Sequence, residues 1–229
     1  MNSAATGFAA IRARIEAAAR AAGHPARLLA VSKTQAAAAV RGLAGLGQRA
    51  FGENYVQEAI AKQRELADLD LEWHLIGPLQ SNKCREAARH FAWLQSLDRA
   101  KLVAPLARHR PAHLPPLQVL IQVNIDDEAS KSGCRPGEVA ALAAAIAAEP
   151  RLSLRGLMAI SAPHPEATRR AAAFGRMQAL FEHLRTEHTA VDTLSMGMSD
   201  DFELAIAHGA TLVRIGTALF GPRRTAPAE

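Results

Sequence analysis

The feature that most constrains this chain is an alternation of eight short apolar runs with helical patterns. The runs are Leu28–Ser32, Gln48–Phe51, Leu71–Ile76, Phe91–Leu97, Leu117–Asn124, Leu154–Ile160, Thr193–Met196 and Thr211–Ile215. Continuous apolar runs of this length read as strands of a parallel sheet, buried on both faces. Helices are expected over 36–46, from the Gly52-Glu53-Asn54-Tyr55 turn to about Leu66, from Ser81-Asn82-Lys83, and from an Asp98 cap to about Arg108. Further helices are expected over Pro136–Ala148, from His164-Pro165 to about His188, and from Gly197-Met198-Ser199-Asp200 to about His208. Another precedes them over residues 3–22, with Phe8, Ile11 and Ile15 on one face, and stops at Gly23-His24-Pro25. Strands alternating with helices imply parallel pairing through crossovers. The expected fold is therefore α/β, a single (β/α)8 TIM-type barrel over residues 1–229 with one extra N-terminal helix. An open doubly wound sheet is the alternative, because strand spacing does not report closure.

Composition narrows the class. Hydrophobic residues are 49% and charged residues 21%, enough for a packed core and against disorder. The net charge is +5, but the arginines are spread along helices and there is one tyrosine, so no basic surface interleaved with aromatics marks a nucleic-acid partner. Cys84 and Cys134 form no C-x-x-C pair, and the nine histidines show no H-x-x-x-H spacing at a strand end, so a metal site is not expected. Apolar stretches are interrupted by charge before membrane-spanning length, and Arg12, Arg14 and Glu16 replace the apolar core of a signal peptide. A cytoplasmic protein without membrane contact is the expectation.

In a barrel, the residues that end the strands gather around one mouth, where ligands bind. That rule collects Lys33, Asn54, His74, Asn124, Met158, Ser195 to Ser199 and Arg214 to Thr217. Lys33 is the candidate nucleophile, although its stretch taken alone reads more readily as a strand whose last lysine reaches water. Met198, Ser199, Gly216 and Thr217 lie in two small-residue turns after the seventh and eighth strands, a common place for phosphate on barrels. Backbone N–H groups at a helix start lack partners, and glycine lets an anion approach them. Asp200 and Asp201 suit a helix start but repel an anion, which places it nearer those four residues. His74, between Trp73 and Leu75, reads as a satisfied buried histidine. Arg214 lies inside an apolar strand, so its guanidinium needs buried acceptors. A lysine, a phosphate site and a buried arginine together suggest pyridoxal 5'-phosphate (PLP) as cofactor.

Seven blocks also resemble a known family. They are Leu29-Ala30-Val31-Ser32-Lys33-Thr34, the stretch from Phe51 to Glu58 (FGENYVQE), Trp73 to Lys83 (WHLIGPLQSNK), Ser130 to Gly133 (SKSG), Gly156 to Ile160 (GLMAI), Leu194 to Asp201 (LSMGMSDD) and Val213 to Gly221 (VRIGTALFG). In this order they resemble the pyridoxal phosphate homeostasis protein family. The resemblance implies a fold-type III barrel like the N-terminal domain of alanine racemase, with PLP held as a Schiff base on Lys33. It further implies phosphate contacts from Ser199, Gly216 and Thr217, Arg214 at the pyridine nitrogen, and Asn54 near the cofactor. Lys131, in the polar loop after the fifth strand, is a second amine near the mouth and reads as a secondary contact, a solvated loop charge rather than a Schiff-base partner. Family members are regarded as carriers or regulators of vitamin B6 without established turnover, with PLP-dependent apoenzymes as possible recipients.

An amino-acid racemase of the alanine racemase type is the alternative function. Two-base racemisation needs an acid/base on the second face of the substrate. In the resembling racemases a tyrosine from a C-terminal domain supplies it, whereas the tyrosine here is Tyr55 and the sequence ends shortly after the eighth strand. An open mouth also favours exchange over water-excluded chemistry. A non-catalytic, monomeric carrier is the expectation, and a barrel without ligand would leave Lys33 and Arg214 unexplained.

Overall fold

A computed structural model of the chain describes residues 3–126, 132–160 and 165–221. Helix α1 (Ser3–Ala22) is followed by β1 (Arg27–Val31), α2 (Ala37–Gly45), β2 (Ala50–Glu53), α3 (Val56–Glu65), β3 (Glu72–Leu75), α4 (Cys84–His90) and β4 (Trp93–Leu97). Then come α5 (Val103–His109), β5 (Leu117–Val123), α6 (Val139–Ala147), β6 (Leu152–Ala159), α7 (Ala167–Glu187), β7 (Thr193–Ser195), α8 (Phe202–Ala207), β8 (Leu212–Ile215) and the short α9 (Thr217–Phe220). The eight strands pair in parallel and in chain order, and β8 returns to β1 with Leu29 opposite Arg214 and Ala30 opposite Ile215. The barrel is closed, which excludes the open sheet.

The apolar runs explain the layers. Alternate strand residues such as Phe51, Leu75, Leu94, Val119, Ile121 and Val213 point outward and are buried against the helices in one continuous core. Each fully buried side chain of that size contributes about 1.5–3 kcal/mol. Inside the barrel two smaller apolar clusters stand apart, Leu29 with Ile76 and Leu212, and Trp93 with Leu120 and Met158. Helix α1 packs on α8 and α9, which explains its apolar face.

Three details differ from the sequence reading. β2 runs two residues further than expected, to Glu53: Gly52 packs against Leu29 and Ile76 inside the barrel, and Glu53 is a fully buried carboxylate rather than a turn residue. Asp98 does not cap a helix; it accepts from Arg99 Nη1 at 2.6 Å, and Arg99 precedes a single 3-10 turn over Ala100–Leu102. Similar turns, Ser81–Lys83 and Pro136–Glu138, lead into α4 and α6. At Gly156 the β5–β6 register shifts, so that Leu120 faces Gly156 after Val119 faces Leu154. Gly156 has φ +141°, and a Cβ there would run into Thr193's carbonyl oxygen, so this bulge requires glycine.

Candidate cofactor site

Lys33 lies just beyond β1, in a turn held from beneath. Ser32 is fully buried, and its Oγ donates to Glu53 Oε1 at 2.6 Å. The Lys62 ammonium, reaching back from α3, donates to Ser32 O, Glu53 Oε1 and Glu58 Oε1, each at 2.7 Å. Glu58 Oε1 also accepts the backbone N–H of Thr34 at 2.6 Å. Thr34 has φ +63°, uncommon for a residue with a branched Cβ. The carboxylates of Glu53 and Glu58, bridged by Lys62, thus fix the backbone on both sides of Lys33. Burial pushes the Glu53 carboxyl above its ordinary value, against the hydrogen bonds from Lys62 and Ser32.

Across the mouth, Arg214 is buried in β8. Its Nη1 donates to Ser195 Oγ at 2.8 Å and its Nη2 to Ala159 O at 2.7 Å. Burial lowers its pKa to about 10, with the charge of Asp201 opposing, so the guanidinium stays charged at neutral pH. Gly216 caps α9, and a Cβ on it would lie 3.3 Å from Val31 O, which keeps this turn tight against β1. The first N–H groups of a helix have no intrahelical acceptor. The Met198 N–H is different: it donates to Asp201 Oδ1 at 2.7 Å. Met198 therefore borders the site without offering that donor, because the carboxylate of Asp201 already takes it.

One cavity of about 390 Å³ at the carboxyl ends of the strands is lined by Lys33, Asn54, Met198, Ser199, Arg214, Gly216 and Thr217, together with Gln122, Ser132, Ile160 and Asp200 among others. Its volume falls in the range of about 300–1,000 Å³ usual for small-molecule sites. All seven residues named from the sequence meet there. Other strand-end residues do not. His74 is fully buried within the barrel, Met158 belongs to an interior apolar cluster, and Asn124 takes part in backbone pairing with Cys134. Tyr55 is 62% exposed and outside the cavity. Lys131 and His164 lie outside the described residues.

Gly77 brings the β3 loop onto the Asn54 backbone: a Cβ there would strike Asn54's carbonyl oxygen and lie 2.7 Å from its Cα. Sequence reasoning missed Ser32, Glu53, Glu58 and Lys62. The available signal was the i, i+4 pair Glu58/Lys62 on a helix starting just after Glu53, which reads equally as a solvated face. A larger cavity, about 820 Å³, opens at the opposite end of the barrel between Arg27, Glu72, Trp93 and Arg155. Among the described residues its lining includes no lysine, whereas Lys33 lines the smaller cavity, so an amine-centred chemistry points to the smaller one.

The chain has clear relatives. A family model described as alanine racemase, N-terminal domain, matches residues 8–224. The pyridoxal phosphate homeostasis protein of Pseudomonas aeruginosa is 57% identical over 226 residues, covering 97% of each chain. The protein of that name from Escherichia coli is 52% identical over 229 residues, covering 97% of this chain and 98% of that one. The structure of PipY from Synechococcus elongatus with PLP bound superposes with a TM-score of 0.84 at 38% identity, over 96% of this chain and all of that one. Alanine racemase from Corynebacterium glutamicum shares the fold, with a TM-score of 0.67 at 23% identity over 63% of its length. With a barrel of this topology and relatives matched end to end, the chain belongs to the alanine racemase N-terminal domain family and, within it, to the pyridoxal phosphate homeostasis proteins.

Proposed function

We propose that this chain, a single barrel domain over residues 1–229, holds PLP on Lys33 and serves vitamin B6 homeostasis as a monomeric cytoplasmic carrier that passes the cofactor to PLP-dependent apoenzymes. The observation that carries the reading is the donor set converging on one cavity: an amine, the amide-bearing turn at Gly216 and Thr217 with the Ser199 and Thr217 hydroxyls nearby, and a buried guanidinium. These groups fit an aldehyde, a phosphate and a ring nitrogen. PLP supplies an aldehyde that condenses reversibly with an amine.

The residues around it have separable tasks. Lys33 provides the amine, and the Glu53–Lys62–Glu58 network holds its turn. Gly216, Thr217 and Ser199 take the phosphate through N–H and O–H donors. Arg214 would face the ring nitrogen as a donor and, being charged, could not take a proton from it, so a ring held there would be a weak electron sink. Asn54, which lines the cavity beyond β2, would border the cofactor there. Carriage rather than racemisation is supported by the names of the relatives at 52–57% identity and by Tyr55 lying outside the cavity. The racemase likeness, at 23% identity, speaks only to the fold.

The test is visible absorbance of the purified protein with PLP, borohydride reduction and peptide mapping, with Lys33→Ala alongside. A reducible chromophore mapped to the Lys33 peptide and lost in the variant is expected. A colourless protein, or label scattered over surface lysines, refutes the site. Transfer to a PLP-requiring apoenzyme without turnover of free amino acids distinguishes carrier from racemase.

A further inference from the structure

TIM-type barrels fill their interior with layers of branched apolar side chains. Among the polar side chains this one places there are His74, Gln95, Ser195 and Arg214, each 5% exposed or less. Buried polar groups without partners are costly, and these four are joined in one chain. Arg214 Nη1 donates to Ser195 Oγ at 2.8 Å, and Ser195 Oγ donates to Gln95 Oε1 at 2.7 Å. Gln95 Nε2 lies 2.9 Å from His74 Nδ1, and His74 Nε2 lies 2.8 Å from Glu72 Oε1. Glu72, at the start of β3, lines the large cavity at the far end of the barrel. The chain therefore runs from the floor to the residue that faces the cofactor pocket.

Its ends impose a direction. A guanidinium can only donate and a carboxylate can only accept. Ser195 Oγ must accept from Arg214, so its own proton goes to Gln95 Oε1. The Gln95 amide nitrogen then faces His74 Nδ1, which must be the acceptor. His74 carries its proton on Nε2 and gives it to Glu72. Any other arrangement leaves a group unpaired. With a proton on Nδ1, Gln95 has to turn its amide over, Ser195 Oγ then accepts from both Gln95 and Arg214, and the Ser195 hydroxyl proton has no acceptor.

From this geometry we infer that Glu72, His74 and Gln95 are positioning residues for Arg214: the carboxylate at the barrel floor sets the His74 tautomer, and the chain holds Ser195 Oγ as the acceptor that fixes the guanidinium at the pocket. The inference rests on the cofactor reading only for what Arg214 faces; the hydrogen bonds of the chain itself lie among the protein's own side chains.

Two variants test it, with thermal melting to verify folding. Glu72 is 38% exposed at its side chain and outside the cofactor cavity, so Glu72→Leu removes the floor acceptor without touching the pocket. Glu72→Gln keeps an oxygen that can accept from His74. In the ligand-free protein, nitrogen-15 spectra should show neutral His74 with its proton on Nε2. Water exchange of the Arg214 guanidinium protons should be faster in Glu72→Leu and near wild type in Glu72→Gln. PLP release should be about fivefold faster in Glu72→Leu, the equivalent of one neutral hydrogen bond of ~1 kcal/mol, and restored in Glu72→Gln. A wild-type His74 protonated on Nδ1, or Arg214 exchange unchanged in Glu72→Leu, overturns the inference. If wild type fails to bind PLP, the cofactor reading fails, and the two ligand-free measurements still decide the chain.

Discussion

Replacing Lys62 by methionine isolates the network under Lys33. Glu53 is fully buried, and Lys62 is 7% exposed at its side chain and 2.7 Å from Glu53 Oε1. A methionine fills most of the lysine stem but removes the charge. Glu53 is left with one hydrogen bond, from Ser32 Oγ, and its Oε2 already lacks a partner. Breaking a buried pair in this way costs about 3–5 kcal/mol. For a chain of this size each kcal/mol moves the melting midpoint by about 2–4 °C, so the expected loss is roughly 6–20 °C. The pH dependence gives a second signature. Burial raises the folded-state pKa of Glu53 above its unfolded value of 4.5, so its contribution is full below 4.5 and lost as pH rises through the folded value. Without Lys62 that folded value climbs further. The deficit of Lys62→Met should therefore be small near pH 4.5 and grow toward neutral pH. The double variant Glu53→Gln/Lys62→Met, which removes the stranded charge, should regain much of the loss. Differential scanning calorimetry between pH 4.5 and 8 measures all three. A Lys62→Met midpoint within about 2 °C of wild type, or a double variant as unstable as the single, refutes the reasoning.

Gly77→Ala should displace the Asn54 backbone it abuts, costing about 1–3 kcal/mol and weakening PLP retention together, as read by urea unfolding and by gel filtration of the coloured protein. Burial holds the His74 pKa below 6.5 against the pull of Glu72, with Arg27 lowering it further. Its contribution to stability is present above pH 6.5 and is lost as pH falls toward the folded value, so the melting midpoint should drop more steeply on acidification in wild type than in His74→Phe. Cys134, pushed up to about 12 chiefly by burial, and Cys84, raised for the same reason, should both resist iodoacetamide at pH 8 in the native protein and react once unfolded; rapid native labelling of either contradicts their burial.

The sequence by itself determined the alternation of strands and helices, and with it the mouth where Lys33, Asn54, Ser199, Arg214 and Gly216 meet. Strand order follows chain order in a barrel, so a residue's place at a strand end is enough to locate it there. Packing also follows from local pattern, as with Phe8, Ile11 and Ile15 of α1. Closure did not, because it depends on β8 pairing with β1, at the two ends of the strand order. Nor did the supports of the site. Lys62 sits on a helix where a lysine ordinarily meets water, and only the placement of α3 over β1 and β2 turns it inward. Ser195 and Gln95 are one hundred residues apart and meet because the barrel brings β4 and β7 face to face across its interior. Strand-end residues are legible from local order, whereas side chains that bond through the middle of a closed sheet are decided by the tertiary structure.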